Sequence, residues 1–349
     1  MIKKGFRQLK WRDRVQLEEL LKFHTNKSEI ARIMHVSRVT IYNELKRGTY
    51  DHLTTELTHV KRYSADMAQR KFEENLKVRG TQLKIGNDIE LANYIEQKIV
   101  EEHYSPGALI GEMRRTGMDK KFKVSICEKT VYNYIDKGIF LSLTNKDLPI
   151  KGKKKRTYKK VHIQKRLERG TSIEERPKRI NFRKEFGHWE MDSVVGRRGN
   201  SKKTLLTLTE RKTRREYVFL QRDKSAGAVV DSLDMLERRW GKDLFRKVFK
   251  TITVDNGTEF SDCSGIERSV YGGNRTKVYY CHPYCSWERG TNENTNRMVR
   301  RQAPKGTSFE NMTEEEVQCI EDWVNQYPRK TFEYATSGEL FTEEMRLLI

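Results

Sequence analysis

Two stretches of this chain set an acid inside an otherwise apolar run, and no other feature restricts the fold as much. In His188-Trp189-Glu190-Met191-Asp192-Ser193-Val194-Val195 the acid sits mid-run, where a buried strand tolerates a carboxylate only if it is paired or metal-bound. In Thr251-Ile252-Thr253-Val254-Asp255-Asn256-Gly257 the acid closes the run, and Gly257 predicts a sharp exit that leaves the carboxylate at a sheet's edge. A third acid, Glu293, opens a helix in Glu288-Arg289-Gly290-Thr291-Asn292-Glu293-Asn294-Thr295-Asn296-Arg297. Helical spacing places Asn296, Arg297 and Arg300 on its face.

The surroundings say which fold could gather them. Trp189 to Val195, Thr204 to Thr209 and Glu216 to Leu220 read as strands, parted by a Gly-rich turn at 196–200 and the polar stretch 211–215. Ser225 to Trp240 is an amphipathic helix, and Phe249 to Val254 a short buried strand. Strands, a helix, a strand and further helices describe a mixed α/β domain, the order an RNase H-like fold would produce.

The amino-terminal part is helical. Leu17, Leu20, Leu21 and Phe23 form an apolar stripe; Ser28 is placed to cap a second helix and Ser37 a third, running Arg38 to Arg47 and stopped by Gly48. Ile30, Ile33, Val36, Ile41 and Leu45 fall where a helix-turn-helix needs its core. The third helix then exposes Arg38, Thr40, Tyr42, Asn43, Lys46 and Arg47, side chains suited to phosphates and base edges in a major groove. The pattern returns in Lys129-Thr130-Val131-Tyr132-Asn133, downstream of a helical stretch from Asp88 to about Glu102 and of Ser105-Pro106-Gly107, a second cap. It predicts a second helix-turn-helix-like unit; two unrelated amphipathic helices sharing a tetrad are the alternative.

The expected domains are 1–60, a helix-turn-helix DNA-binding domain; 61–145, a second helical domain; 146–184, a basic linker; and 185–349, the RNase H-like catalytic domain with carboxy-terminal helices. The linker rests on the run from Lys151 to Arg169, whose only acid is Glu168; such a block repels itself and rarely packs.

Seventy Lys and Arg against forty-nine Asp and Glu leave a formal charge of +21, which calls for an anionic partner, nucleic acid first. No run is apolar enough to span a bilayer, and the first residues lack a signal core, so a cytoplasmic, nucleoid-associated protein with no membrane partner is expected. Five scattered cysteines form no disulfide framework; Cys281-His282 with Cys285 comes closest to a zinc motif but lacks recognisable fourth-ligand spacing, which favours packed, reduced thiols.

Metal-dependent phosphoryl transfer on DNA needs two hard cations about 4 Å apart, held by carboxylates from distant parts of a chain. Asp192, Asp255 and Glu293 suit that need. Glu190, Glu259, Asp262 and Glu288 are competing acids, Glu190 because it shares a strand face with Asp192, and Glu288 because it lies close to Glu293.

The runs HWEMDSVVG, TVDNGTEF, SWERGTNENTNRMVRR and NQYPRKTF with TSGELF resemble the catalytic domain of bacterial insertion-sequence transposases of the IS-thirty type. SIEERP (172–177) and NKSEIARIMHVSRVTIYNELKRG (26–48) are similar to that family's pre-domain stretch and terminal-repeat-binding helices. The resemblance implies that Asp192, Asp255 and Glu293 are a catalytic, metal-binding triad for two Mg²⁺ ions, with Mn²⁺ able to substitute. It implies DNA contact by Arg300, beside that expected of Arg297. It also implies cleavage and strand transfer at terminal inverted repeats and target DNA, by a homo-oligomer. This chain departs from the pattern in a longer segment near Gly265 to Asn274, in Ser337 for a proline, and in Tyr327 for an arginine. A DNA-binding regulator without catalysis, and an RNase H-like nuclease that cuts without joining, are the rival readings.

Overall fold

The computed structural model describes residues 8–24, 26–78, 83–149, 170–197, 199, 201–283 and 285–348. The basic block 151–169 lies outside the described residues, as do Arg198 and Asn200 of the Gly-rich turn. The chain divides into two compact units, Met1–Gly86 and Asn87–Ile349.

In the first unit, α1 (Trp11–Phe23), α2 (Lys27–Ile33) and α3 (Arg38–Gly48) enclose a small core of Leu17, Ile30, Ala31, Met34 and Ile41. Two members of the expected core lie outside it: Phe23, at the last residue of α1, is 80% exposed, and Ile33 is 40% exposed. The cap of α2 is Asn26 rather than Ser28. Asn26 Oδ1 accepts from the Ser28 amide at 3.0 Å, which sets Ser28 already within the helix. His35 turns the chain in the left-handed region (φ 52°), and Ser37 caps α3 through the Thr40 amide at 3.1 Å.

Gly48 does not stop α3. It is the helix's last residue and is buried, and a Cβ there would collide with the Tyr63 ring and meet Ala68 Cβ at 2.8 Å. The chain passes straight into an antiparallel hairpin, β1 (Thr49–Leu53) and β2 (His59–Tyr63), then into α4 (Ala65–Val78), which packs against α1 and α3. Beneath this lies a buried ion pair, Arg14 Nε to Glu44 Oε1 at 2.7 Å, with Arg47 on the other carboxylate oxygen.

The second unit opens with α5 (Ile89–Glu96), one π-helical turn (Gln97–Glu101), α6 (Pro106–Thr116) and α7 (Glu128–Asp136). Ser105 caps α6 with Pro106 in its first turn, and Gly117 (φ 72°) ends it. Residues 117–127 separate α6 from α7, a longer path than the tight link between α2 and α3. These helices rest on the carboxy-terminal half: Trp323 Nε1 donates to Glu102 O at 2.7 Å, and the Ser105 amide to Tyr327 Oη at 3.1 Å.

A five-stranded mixed sheet follows, built from β3 (His188–Val195), β4 (Thr204–Glu210), β5 (Glu216–Gln221), β6 (Thr251–Val254) and β7 (Lys277–Tyr280) in the order β5-β4-β3-β6-β7. β3 and β4 pair antiparallel, as do β4 and β5, whereas β3–β6 and β6–β7 are parallel. β7 is an addition to the strands expected. Along β3, Trp189 and Met191 enter an aromatic and aliphatic core with Phe245, Phe249, Ile252 and Phe341. That core is shared with α8 (Ala226–Trp240), α9 (Lys242–Val248), α10 (Cys263–Glu267) and α13 (Ser337–Leu348). The alternate residues Glu190 and Asp192 face the other way, where α11 (Gly290–Gln302) lies over β3 and β4, and α12 (Glu314–Gln326) lies against β5.

Candidate active site

Strand register does most of the positioning. β3 and β6 run parallel with Trp189 opposite Ile252 and Glu190 opposite Thr253; two residues further the same register sets Asp192 opposite Asp255. Asp192 is still on β3, and Asp255 is the first residue past β6. Gly257 sits at φ −61°, which any residue adopts, so the chain leaves β6 and enters the turn at Thr258 without a left-handed residue, and the Asp255 side chain is partly exposed as expected. What glycine supplies is room, since a Cβ would meet Asp255 Oδ1 at 2.8 Å and Glu259 Oε2 at 2.5 Å.

The two aspartates share one cation. Arg289, just before α11, donates from Nη2 to Asp255 Oδ2 at 2.9 Å, lies 3.5 Å from Asp192 Oδ1 through Nη1, and donates from Nη1 to Met191 O at 3.0 Å. Burial raises the Asp192 carboxyl above its ordinary range; Arg289 opposes that rise and Asp255 adds to it. Burial also works against the Arg289 charge, but the two aspartates outweigh it and leave its proton held more tightly than usual.

Helix α11 is tied down over this pair. Asn296 Nδ2 donates to Asp192 Oδ2 at 2.9 Å, while the Thr207 hydroxyl donates to Asn296 Oδ1 at 3.0 Å and so fixes which way the amide points. The Asn292 amide donates to Glu190 at 2.8 Å. Glu190 is fully buried and paired with Arg211, so the acid beside Asp192 anchors the helix instead of facing the cleft.

Glu293 does not join the aspartates. Its side chain is half-exposed and paired with Arg297, and among the described residues no three His, Cys, Asp or Glu gather to hold a metal. The other acids are occupied. Glu288 binds His282 Nδ1 at 2.7 Å, Glu259 pairs with Lys224 at 3.0 Å, and Asp262 caps α10. His282 also reaches Glu174 at 3.1 Å, and all five cysteines are free.

The residues expected to touch DNA divide in the same way. Arg38, Tyr42, Asn43 and Lys46 are exposed on α3; the Thr40 hydroxyl bonds Ser37, and Arg47 is drawn to Glu44 and over the Phe72 ring. On α7, Lys129 and Asn133 are exposed, Thr130 meets Cys127 Sγ at 3.2 Å, and burial raises the pKa of Tyr132. Arg297 holds Glu293, and Arg300 Nη2 donates to Val195 O at 2.7 Å, bracing the end of β3. Sequence reasoning missed Arg289 and passed over Asn296 as a mere neighbour. Both lie in the polar run around Glu293, where nothing in the spacing separates a bridging side chain from a solvated one.

No protein-family profile matches the chain. Curated relatives do. The transposase for insertion sequence element IS4351 of Bacteroides fragilis is 28% identical over 347 residues, covering 95% of this chain and 94% of the relative. The probable transposase for insertion-like sequence element IS1161 of Streptococcus salivarius is 37% identical over 214 residues, 61% of this chain and 58% of the relative. The transposase InsI for insertion sequence element IS30C of Escherichia coli K12 is 34% identical over 182 residues; the match spans 51% of this chain and 44% of that protein.

Proposed function

We infer that this chain, a homologue of insertion-sequence transposases with those of IS30 elements among them, is itself a DNA transposase. In this reading it binds the terminal inverted repeats of an insertion sequence, then cuts and rejoins DNA with the help of a divalent metal. The observation that carries it is the pair Asp192, on β3, and Asp255, just past the parallel strand β6, side by side and spanned by Arg289, with the helix that bears Glu293 fastened over them.

The strand order, a three-strand antiparallel meander joined to two parallel strands, supports an RNase H-like catalytic domain. The short link from α2 to α3, the Ser37 cap and the exposed Arg38, Tyr42, Asn43 and Lys46 support a helix-turn-helix in the first unit. Simultaneous capture of two element ends favours a homo-oligomer.

The residues suit Mg²⁺, or Mn²⁺ in its place. Asp192 and Asp255 offer hard carboxylate oxygens, and burial leaves Asp192 short of positive charge even with Arg289 beside it. These two would hold the metal, with Glu293 as third ligand once its side chain leaves Arg297. Bound there, the metal supplies Lewis acidity for the attacking and leaving oxygens of an in-line displacement. The chain's own contribution is orientation: Asn296 fixes Asp192, Glu190 fixes α11, and Arg289 is placed to meet phosphate charge when the aspartates turn from it.

The test is end cleavage and joining on DNA carrying the element's flanking repeats, with and without divalent metal. Asp192→Asn should lower both by about a thousandfold or more while repeat binding stays within about twofold. Cleavage at near wild-type rate in that variant would sink the assignment. Cutting without strand-transfer products would indicate a nuclease, and binding without cutting a regulator.

A further inference from the structure

On another side of α11 lies a second charged feature, a cleft of about 450 Å³ lined by α6, one face of α11 and the segment after α12. Arg183, Arg214, Arg301, Arg329 and Lys330 converge on it, against one acid, Glu128, among the described residues of its wall. Gly290, Asn294, Met298 and Arg301 of α11 line it at helical spacing. Glu293 and Arg297 lie roughly a quarter turn around the same helix, so the cleft and the aspartates are served by neighbouring faces of one element.

Unspent donors and backbone strain set this cleft apart from an ordinary basic surface, and the proton affinities of its arginines agree. Its cations keep donors to spare: among the described residues Arg183, Arg214 and Lys330 make no ion pair, and Arg301 Nη1 and Arg329 Nε are buried without a hydrogen-bond acceptor. Arg329 is only 8% exposed and spends one donor on Val324 O at 3.3 Å. Its backbone is unusual, since Arg183 (φ 56°), Arg214 (φ 62°) and Tyr334 (φ 66°) all sit in the left-handed region, a cost that residues bear mainly at ligand sites. Its protons are loosened: burial brings Arg329 to about 10, and burial together with Arg183 brings Arg214 to about 10. Crowded, half-desolvated guanidinium groups with free donors are stabilised by an oxyanion, and planar forks suit phosphate oxygens. Tyr327 contributes an aromatic wall, with Arg301 stacked over its ring at 5.1 Å.

We propose that this cleft receives a backbone phosphate of the DNA, a few nucleotides from the linkage that reaches Asp192 and Asp255. The inference rests on the transposase reading and names a part of its substrate site. A phosphate held here pins the strand to the same helix that carries Glu293, which fixes the register of the scissile linkage.

The test uses the full chain, a fluorescent duplex bearing the element's end, no divalent metal, and anisotropy across a salt series. Arg183→Gln and Arg214→Gln should each weaken binding about tenfold and flatten the slope of log K against log salt by about one, and Arg183→Lys should recover most of the loss. Unchanged affinity and slope in variants that melt like the wild type would overturn the proposal. A second measurement guards against a variant that merely misfolds. Neutral methylphosphonate linkages are walked along the DNA with the wild-type protein; at one of the linkages that weaken binding, the penalty should shrink in Arg183→Gln while the others stay as they were. Penalties equal in both proteins at every position count against it. Inorganic phosphate is the other source of the same chemistry: if phosphate alone raises the melting temperature of the wild type but not of Arg183→Gln, while DNA affinity is the same for both, the cleft serves free phosphate and the DNA assignment fails. Because binding is read without metal, a wild type that never cleaves would sink the transposase reading and leave this result standing.

Discussion

Asp192 stands among apolar neighbours, and a carboxylate so placed needs a partner, a need that the register with Asp255 sharpens by setting a second acid beside it. The sequence exposes that need. The cation that meets it, Arg289, was not legible, because a guanidinium that crosses from a helix start to two strands leaves no periodic trace. Nor was the direction of Glu293 legible, since helical spacing gives a face but no rotamer. A similar surprise lies on β5. Glu216 is fully buried, accepts from Thr209 on one oxygen and has no hydrogen-bond partner for the other among the described residues, and burial lifts it to about 8. The sign follows from proton binding: below the unfolded value of 4.5 both states hold the proton, and between there and about 8 only the folded state does. Its stabilising contribution is therefore complete in acid and is lost as pH rises through about 8. Urea unfolding at pH 5 and pH 9 should show wild type losing a few kcal/mol more than Glu216→Gln. Equal losses in the two proteins would show that Glu216 ionises normally.

Elements with strong local signals were legible, and those whose form depends on distant packing were not. Ser37 and Ser105 announce their helices because the cap is local chemistry. The alternation that sends Trp189 and Met191 one way and Glu190 and Asp192 the other is likewise written into β3. The hairpin β1–β2 escapes notice because most of it is exposed and its sequence shows no apolar period. The strand β7 escapes because four residues at a sheet edge are too few for a pattern. Gly48 is the instructive case, a residue that looks like a helix stop and is in fact a close contact. Alanine there gains roughly 1 kcal/mol of helix propensity but drives a methyl into the Tyr63 ring, which costs roughly 1–3 kcal/mol. Gly48→Ala should therefore lower the melting temperature of the first unit, and an unchanged or higher value would show that Tyr63 yields freely.

At the scale of the whole molecule, composition points to a joint at the basic block, and packing draws a different map. The first unit runs on to residue 86 because α4 completes it, and the helices from α5 to α7 belong with the sheet because Trp323 and Tyr327 grip residues 102–105. Neither fact shows in charge or hydropathy, which record exposure and not partners. A fragment of residues 1–86 should accordingly fold by itself, with a cooperative thermal transition, and bind repeat-end duplex with affinity that falls steeply with salt. A non-cooperative melt would show that its small core cannot hold it together. Among the described residues no helix is long and apolar enough to cross a membrane.

The grip of Trp323 and Tyr327 on the helices before the sheet has a metrical consequence. Since α7 and the aspartates belong to one compact body, a duplex resting on α7 would be presented to the sheet edge at a fixed span. The protein would then work as a ruler, with the position of the cut measured from a bound landmark instead of searched for along the strand.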